Sequence, residues 1–189
     1  MRPLTDFNSG WLFEGRETVR LPHTAVELPF SYFDEKSYQR PFTYEKRFTA
    51  DPSWNGKEVS IVFDGVMANC KVSLNGNETQ SHRDGYTPFE VRLTGKLQPG
   101  ENVLTVTIDG SENPEIPPFG GQIDYLTYAG IYRDVWLRVT SPIFVQNAKI
   151  ETPNVLTDHK SVRARIEIAN PQNLPLSGTL LATLKDSNG

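Results

Sequence analysis

The chain has 189 residues, enough for one domain of ordinary size or for one domain and part of another. Its 19 basic and 23 acidic residues give a net charge of −4, and no basic run is present, which argues against a nucleic-acid-binding protein. No apolar stretch approaches the roughly 20 residues of a membrane-spanning helix, so we expect no membrane partner. The N-terminus lacks the apolar region of a signal peptide, which favours a cytoplasmic protein.

Alternation of apolar and polar residues runs through most of the chain and predicts half-buried β-strands. The clearest segments are 44–48, 59–63, 70–74, 103–108 and 135–139. Asn-Gly or Asp-Gly pairs follow several of them, and these pairs readily take the positive φ angles of tight hairpin turns. No stretch shows a clean helical period free of Gly and Pro. The pattern therefore predicts an all-β protein, a β-sandwich or jelly roll.

A domain boundary is predicted near Ser141-Pro142, where the strand 135–139 has ended. Beyond Phe144 there is no aromatic residue, and three further strands are predicted at 144–152, 162–169 and 179–185. An immunoglobulin-like sandwich needs about seven strands. We therefore expect a jelly-roll domain at 1–141, followed at 142–189 by the truncated start of an immunoglobulin-like sandwich, in a chain that is a fragment of a longer protein.

Residues suited to covalent or metal chemistry are scarce. His23, His82 and His159 are widely spaced and do not form a metal-binding motif, and Cys70 lies within a strand pattern, where a buried thiol is expected. Gly120-Gly121 does not precede a helix, so a phosphate loop is not supported. Asn77-Glu78-Thr79 is a formal glycosylation acceptor, which matters only in a secreted protein. We interpret these residues as the polar residues of a hairpin turn.

The long connection after Asp109 is the strongest candidate for a functional loop, since long loops in compact domains are usually functional or disordered. Its stretch 114–130 is rich in prolines and aromatic residues, and there Asp124 is a carboxylate flanked by aromatic and apolar residues. Aromatic rings cover the C–H faces of a sugar, and a carboxylate accepts hydrogen bonds from its hydroxyls. An Asp that caps a turn, with aromatic side chains that only pack the loop, would explain the same residues.

Several segments in order resemble glycoside hydrolase family 2, which includes β-galactosidases, β-glucuronidases and β-mannosidases. Residues 130–137 resemble its "GGIYRDVWL" segment, and 8–13 resemble its opening "N-x-G-W-x-F". The other matching segments are 21–24, 63–66, 72–76, 85–89 and 100–104. Ala25 departs from the family pattern, which has Trp there. The resemblance covers about residues 6–140.

The resemblance implies a jelly-roll sugar-binding domain, then an immunoglobulin-like domain, then a TIM barrel that holds two catalytic glutamates about 5 Å apart. Neither glutamate is expected in this chain, so no catalytic residue and no metal ligand is predicted here. Any Mg²⁺ or Na⁺ used by the parent enzyme would bind at the barrel. The resemblance places Asp124, six residues before Gly130, where the family has an aspartate that reaches the terminal sugar of the substrate. Arg133 and Asp134 match the family segment and are interpreted as structural residues that pair within the sandwich.

The resemblance thus implies the non-catalytic N-terminal part of a retaining glycosidase, in the first place a β-galactosidase acting on terminal β-D-galactosides. Its partners would be the glycoside and its own catalytic barrel, and homo-oligomerisation stays open. The alternative is a stand-alone carbohydrate-binding β-sandwich module without enzymatic activity. Galactoside, glucuronide and mannoside specificity are not separated by these motifs.

Overall fold

A computed structural model describes residues 4–27, 31, 34–37, 39–116 and 128–185. These residues belong to two compact units, 1–140 and 141–189. The strands of the described residues, in chain order, are β1 Leu4–Asp6, β2 Trp11–Phe13, β3 Glu17–Val19, β4 His23–Thr24, β5 Pro41–Thr49, β6 Glu58–Phe63, β7 Asn69–Leu74, β8 Asn77–Arg83, β9 Phe89–Arg92, β10 Glu101–Asp109, β11 Gly130–Ile131, β12 Val135–Thr140, β13 Phe144–Glu151 and β14 Arg163–Ala169.

The first unit is a sandwich of two antiparallel sheets. One sheet has four strands in the order β1-β12-β6-β9, and the other has six in the order β3-β2-β5-β10-β7-β8. β4 and β11 form a separate two-stranded ribbon. Two short 3-10 turns, Glu35–Ser37 and Pro52–Trp54, are the helical elements of the described residues. The all-β prediction and its five clearest strands are confirmed.

The alternation seen in the sequence puts the apolar side chains between the two sheets. Ile61, Phe63 and Val135 point inward from the four-stranded sheet, and all three are fully buried. Tyr44 and Val106 do so from the six-stranded sheet. The ring of Phe63 stacks on that of Phe89, with 4.9 Å between the ring centroids. One continuous core therefore holds the two sheets together.

The hairpin β7–β8 shows how the turn residues act. Asn75 and Gly76 have φ angles of 51° and 80°, the positive values that a tight hairpin requires. The Asn75 side chain also accepts a hydrogen bond from the Val103 backbone, at 2.9 Å, and donates one to Asn102. The turn is therefore fixed to the neighbouring strand β10.

The second unit contains the antiparallel hairpin β13–β14, whose described strands pair from Phe144↔Ala169 to Glu151↔Arg163. The strand predicted at 179–185 is wrong: these described residues have no strand structure. Leu181 and Leu184 are more than four-fifths exposed. A short segment rich in leucine does not form a strand by itself, because a strand also needs a neighbouring backbone to satisfy its hydrogen bonds.

Among the described residues, no helix is long and apolar enough to cross a membrane.

Candidate functional site

The candidate site is the base of the long loop between β10 and β11, because this loop carries the predicted sugar contact. The structure describes its outgoing limb, 110–116, and the last residues of its returning limb, 128–129. Asp124 lies outside the described residues, so its sugar contact stays a prediction. What the structure defines is how both limbs of the loop are held by the sandwich.

The outgoing limb is ordered by local turns. The Asp109 carboxylate accepts a hydrogen bond from the Ser111 backbone at 3.0 Å, and the Asn113 side chain accepts one from the Glu115 backbone at 2.9 Å. Such Asp and Asn bonds, two residues along the chain, stabilise turns. The limb then inserts Ile116, which is buried.

Both limbs meet at a small cavity of about 20 Å³, enough for one water molecule. Ile116 from the outgoing limb and Ala129 from the returning limb line it, together with Met67 and Asn69. Both Ile116 and Ala129 are almost completely buried. The two ends of the loop are therefore packed on the same part of the sandwich.

The returning limb is held by backbone hydrogen bonds on both sides. The Ala129 carbonyl accepts from the Ala25 backbone at 2.6 Å. Gly130 and Met67 exchange two backbone hydrogen bonds, of 3.0 and 3.2 Å. Gly130 therefore lies between β4 and the segment that precedes β7.

Only glycine fits at position 130. Its φ is +145°, which side chains rarely adopt. A Cβ there would lie 2.5 Å from the His23 carbonyl oxygen and 2.9 Å from the Ala25 nitrogen. Both atoms are backbone atoms of the adjoining ribbon, so no rotation of a side chain could relieve the contact. The glycine that the family segment contains thus has a structural reason in this chain.

His23 and Tyr44 support the same ribbon from inside. The His23 Nδ1 and the Tyr44 hydroxyl are 2.8 Å apart. Burial lowers the pKa of His23, while Glu17 and Glu27 oppose that shift. Burial also raises the pKa of Tyr44, which keeps its hydroxyl protonated. Both groups are neutral near pH 7, which suits a hydrogen bond between a fully buried tyrosine and a partly buried histidine.

The segment after Gly130 is anchored by Asn8, for which the sequence analysis predicts no role beyond membership of the segment 8–13. Its side-chain oxygen accepts a hydrogen bond from the Val135 backbone at 2.7 Å, and its amide nitrogen donates to the Asp134 carboxylate at 2.9 Å. Asn8 is 3% exposed. The structural role expected for Asp134 agrees with these bonds, which tie the start of the chain to β12.

A shallow cleft of about 390 Å³ lies beside this segment. The residues that line it are Pro22, Asp64, Pro88, Tyr132, Arg133 and Asp134. The Trp136 ring nitrogen donates to Asp64 at 2.8 Å. This cleft could not be predicted from the sequence, because its residues come from four separate segments that only the fold brings together.

The turn before β9 packs against the same segment. The Tyr132 hydroxyl donates to the Gly85 carbonyl oxygen, and Arg133 donates to the carbonyl oxygen of Tyr86 at 3.3 Å. The Asp84 carboxylate closes the turn by accepting from the Tyr86 backbone at 2.8 Å. That backbone hydrogen bond is the main reason why the pKa of Asp84 is lowered. Arg133 thus has a structural contact, although its side chain stays exposed.

The remaining candidates are not brought together. Cys70 is buried, which raises the pKa of its thiol to about 12 and makes it unreactive at neutral pH. The His82 ring stacks on Phe89, with centroids 4.3 Å apart, and His159 is exposed in the second unit. Asn77 begins β8 at the tip of a hairpin. In the described part of the chain, no group of three or more His, Cys, Asp or Glu could hold a metal ion.

The comparisons with known proteins agree on one family. The family model described as "Glycosyl hydrolases family 2, sugar binding domain" matches residues 13–154. A β-galactosidase of Rhizobium meliloti is 50% identical over the whole of this chain, which covers 26% of that protein. A β-glucuronidase of Bacteroides fragilis is 30% identical over 78% of this chain, which covers 22% of that protein.

A solved structure of a family 2 glycosyl hydrolase from Bacteroides cellulosilyticus superposes with a TM-score of 0.74 at 25% identity. The match covers 92% of this chain and 26% of that protein. The chain thus spans about a quarter of the length of the relatives that it matches.

Proposed function

Because this chain belongs to glycoside hydrolase family 2, we propose that it is the N-terminal, non-catalytic part of a retaining glycosidase, a β-galactosidase in particular. The observation that carries the proposal is the 50% identity to a β-galactosidase along the whole chain. The β-glucuronidase relative is 30% identical over a smaller share of the chain. This difference favours a terminal β-D-galactoside as substrate over a glucuronide.

In this proposal, hydrolysis is carried out by two glutamates of a TIM barrel that is not part of this chain. One glutamate would form a glycosyl-enzyme intermediate and the other would act as acid and then base, about 5 Å away. This chain would supply a rigid scaffold, a surface for the catalytic portion and one carboxylate for the terminal sugar. We keep 1–141 and 142–189 as the proposed domain limits, and place any Mg²⁺ or Na⁺ at the barrel.

Asp124 is the proposed sugar contact. A carboxylate accepts short, charge-assisted hydrogen bonds from sugar hydroxyls. Hydrogen bonds to substrate hydroxyls can strengthen in the transition state and supply several kcal/mol there. Such a contact requires a loop whose ends do not move. The anchoring of Ile116 and Gly130 in the sandwich supports this requirement, because both limbs begin from fixed positions.

The test is Asp124→Asn in the full-length enzyme. We expect kcat/KM for a β-galactoside to fall about a hundredfold or more, equivalent to about 2.7 kcal/mol. The matched control is Glu112→Gln, which removes an exposed carboxylate from the outgoing limb of the same loop and should leave kcat/KM unchanged. Unfolding curves of both variants should match that of the parent enzyme. Unchanged kinetics in Asp124→Asn would overturn the role of Asp124.

Isothermal titration of this chain with galactose and lactose separates the proposal from a stand-alone binding module. We expect no binding at millimolar concentrations, because the catalytic side of the sugar pocket is missing. Saturable binding at millimolar or lower concentration would favour the module instead. A full-length protein that hydrolyses β-glucuronides faster than β-galactosides would contradict the substrate, although not the reaction class.

A further inference from the structure

The Asn-Gly and Asp-Gly pairs that form turns are also places where the chain can react with itself. Because glycine has no Cβ, its backbone nitrogen can approach the side-chain Cγ of the residue before it. Within the described residues these pairs are 55–56, 64–65, 75–76, 84–85 and 109–110. Which of them can react is decided by how the fold holds each side chain.

Four of these five pairs have a partly buried Asn or Asp whose side chain is hydrogen-bonded. These bonds join Asp64 to the Trp136 ring nitrogen, Asn75 to Asn102 and Val103, Asp84 to the Tyr86 backbone, and Asp109 to the Ser111 backbone. In Asn75 both ends of the amide are engaged, each at 2.9 Å. These bonds fix the side chains, and they have to break before a backbone nitrogen can reach Cγ.

The fifth pair, Asn55-Gly56, is exposed and lies in a turn of a different kind. Asn55 has φ and ψ angles of −56° and 130°, and Gly56 has a φ of 73°, which are the angles of a type II turn. The Lys57 N–H closes the turn by donating to the Trp54 carbonyl oxygen at 2.9 Å. The turn therefore does not use the Gly56 N–H.

Both reacting groups of this pair are free. In the part of the chain that the structure describes, neither the Asn55 side chain nor the Gly56 N–H takes part in a hydrogen bond. Attack at this pair therefore breaks no side-chain contact. Asn55 thus combines the exposure, the following glycine and the freedom to rotate that the reaction needs.

We propose that Asn55 is a site of spontaneous deamidation in the folded protein. The Gly56 backbone nitrogen forms a bond to Asn55 Cγ and loses its proton, while the Cγ–Nδ2 bond breaks and ammonia leaves. Water then opens the cyclic imide. Cleavage of the new N–Cγ bond gives aspartate, and cleavage of the original peptide bond gives isoaspartate. Water is the one co-reactant, and the inference does not depend on the proposed function.

The products change the turn in two ways. Each adds a carboxylate, which takes the net charge from −4 to −5. Isoaspartate also inserts one carbon atom into the backbone, so the hydrogen bond between Lys57 and Trp54 cannot keep its geometry. This turn leads directly into β6, which begins at Glu58. The modification therefore alters the entry to a strand of the core.

Peptide mapping of the folded chain during storage in mildly alkaline buffer tests the proposal. Trypsin releases Asn55 in the peptide 48–57 and Asn75 in the peptide 72–83, so mass spectrometry follows the two separately. We expect Asn55 to deamidate at least about fivefold faster than Asn75, because the bonds of Asn75 must break first. Isoaspartate should be identified by fragmentation of the peptide 48–57. The pair 188–189 lies outside the described residues and is released in another peptide.

Denaturant provides the matched control, since it removes the fold and leaves the two Asn-Gly sequences. There, Asn55 and Asn75 should react at similar rates. If Asn55 is no faster than Asn75 in the folded chain, or if the same difference persists in denaturant, the fold does not select the site and the proposal is overturned. Asn55→Ser should remove the modified form of peptide 48–57 without changing the unfolding curve, because the Asn55 side chain is exposed. Persistence of the modified peptide in that variant would also overturn the proposal.

Discussion

Replacing Gly130 by alanine tests how the loop base is built. The new Cβ would lie 2.5 Å from the His23 carbonyl oxygen and 2.9 Å from both the Ala25 nitrogen and the Thr24 Cα. Every one of these atoms belongs to the backbone of the ribbon strand or its continuation. The substitution therefore has to separate β4 from β11 or to break the paired hydrogen bonds between Gly130 and Met67.

The expected cost combines two effects. Holding a non-glycine residue at a φ of +145° costs about 1–3 kcal/mol. Overpacking against atoms that cannot move costs about 1–3 kcal/mol more. Gly130→Ala should therefore lower the free energy of unfolding of the first unit by about 2–6 kcal/mol. Urea unfolding followed by tryptophan fluorescence measures this unit selectively, because all three tryptophans lie in it.

Gly95→Ala is the matched control. Gly95 also has a positive φ, of 76°, but nothing lies within 4 Å of the position of its Cβ. Gly95→Ala should lower the free energy of unfolding only by the cost of the backbone conformation, about 1–2 kcal/mol. If Gly130→Ala destabilises the first unit no more than Gly95→Ala does, the close approach of β4 is not a constraint and the reasoning fails.

Three further measurements test the same framework. Asn8→Ala should cost about 2–4 kcal/mol in urea unfolding, because it leaves the Val135 N–H without its acceptor and the Asp134 carboxylate without its donor; a loss under 1 kcal/mol would contradict this. Cys70 should react with a thiol reagent at least about a hundredfold more slowly in the folded chain than in denaturant, and similar rates would refute its burial. The lowered pKa of Asp84 stabilises the fold above its unfolded pKa of about 3.9, and that contribution is lost as pH falls through the lower folded value. Asp84→Asn should therefore flatten the acid limb of the stability profile, and an unchanged limb would refute the assignment.

The strands of the first unit could be predicted because their pattern is local. Residues 103–108 alternate and end at Asp109-Gly110, and the structure has β10 there. The segment 179–185 shows where local pattern stops being sufficient. Its leucines and threonines predict a strand, yet the described chain offers this segment no paired backbone. A strand forms only where a neighbouring strand can pair with it, and the pattern of one segment does not show whether such a neighbour exists.

In the candidate site, too, some residues could be predicted from the sequence and others could not. Asp124 could be selected from the sequence because a carboxylate among aromatic residues in a long loop has a chemical meaning by itself. Asn8 could not, since an asparagine near the N-terminus acquires its role only when the fold brings it to Val135 and Asp134, more than 120 positions away. The six residues that line the cleft could not be predicted from the sequence for the same reason.

The fold class, the turns and the family could be predicted from the sequence, because periodicity, Asn-Gly pairs and motif order are properties of neighbouring residues. Which glycine cannot be replaced and which side chains stay exposed become visible only in the folded chain. Those properties depend on distances between atoms far apart in the chain, such as the 2.5 Å that separates a Cβ at position 130 from the carbonyl oxygen of His23.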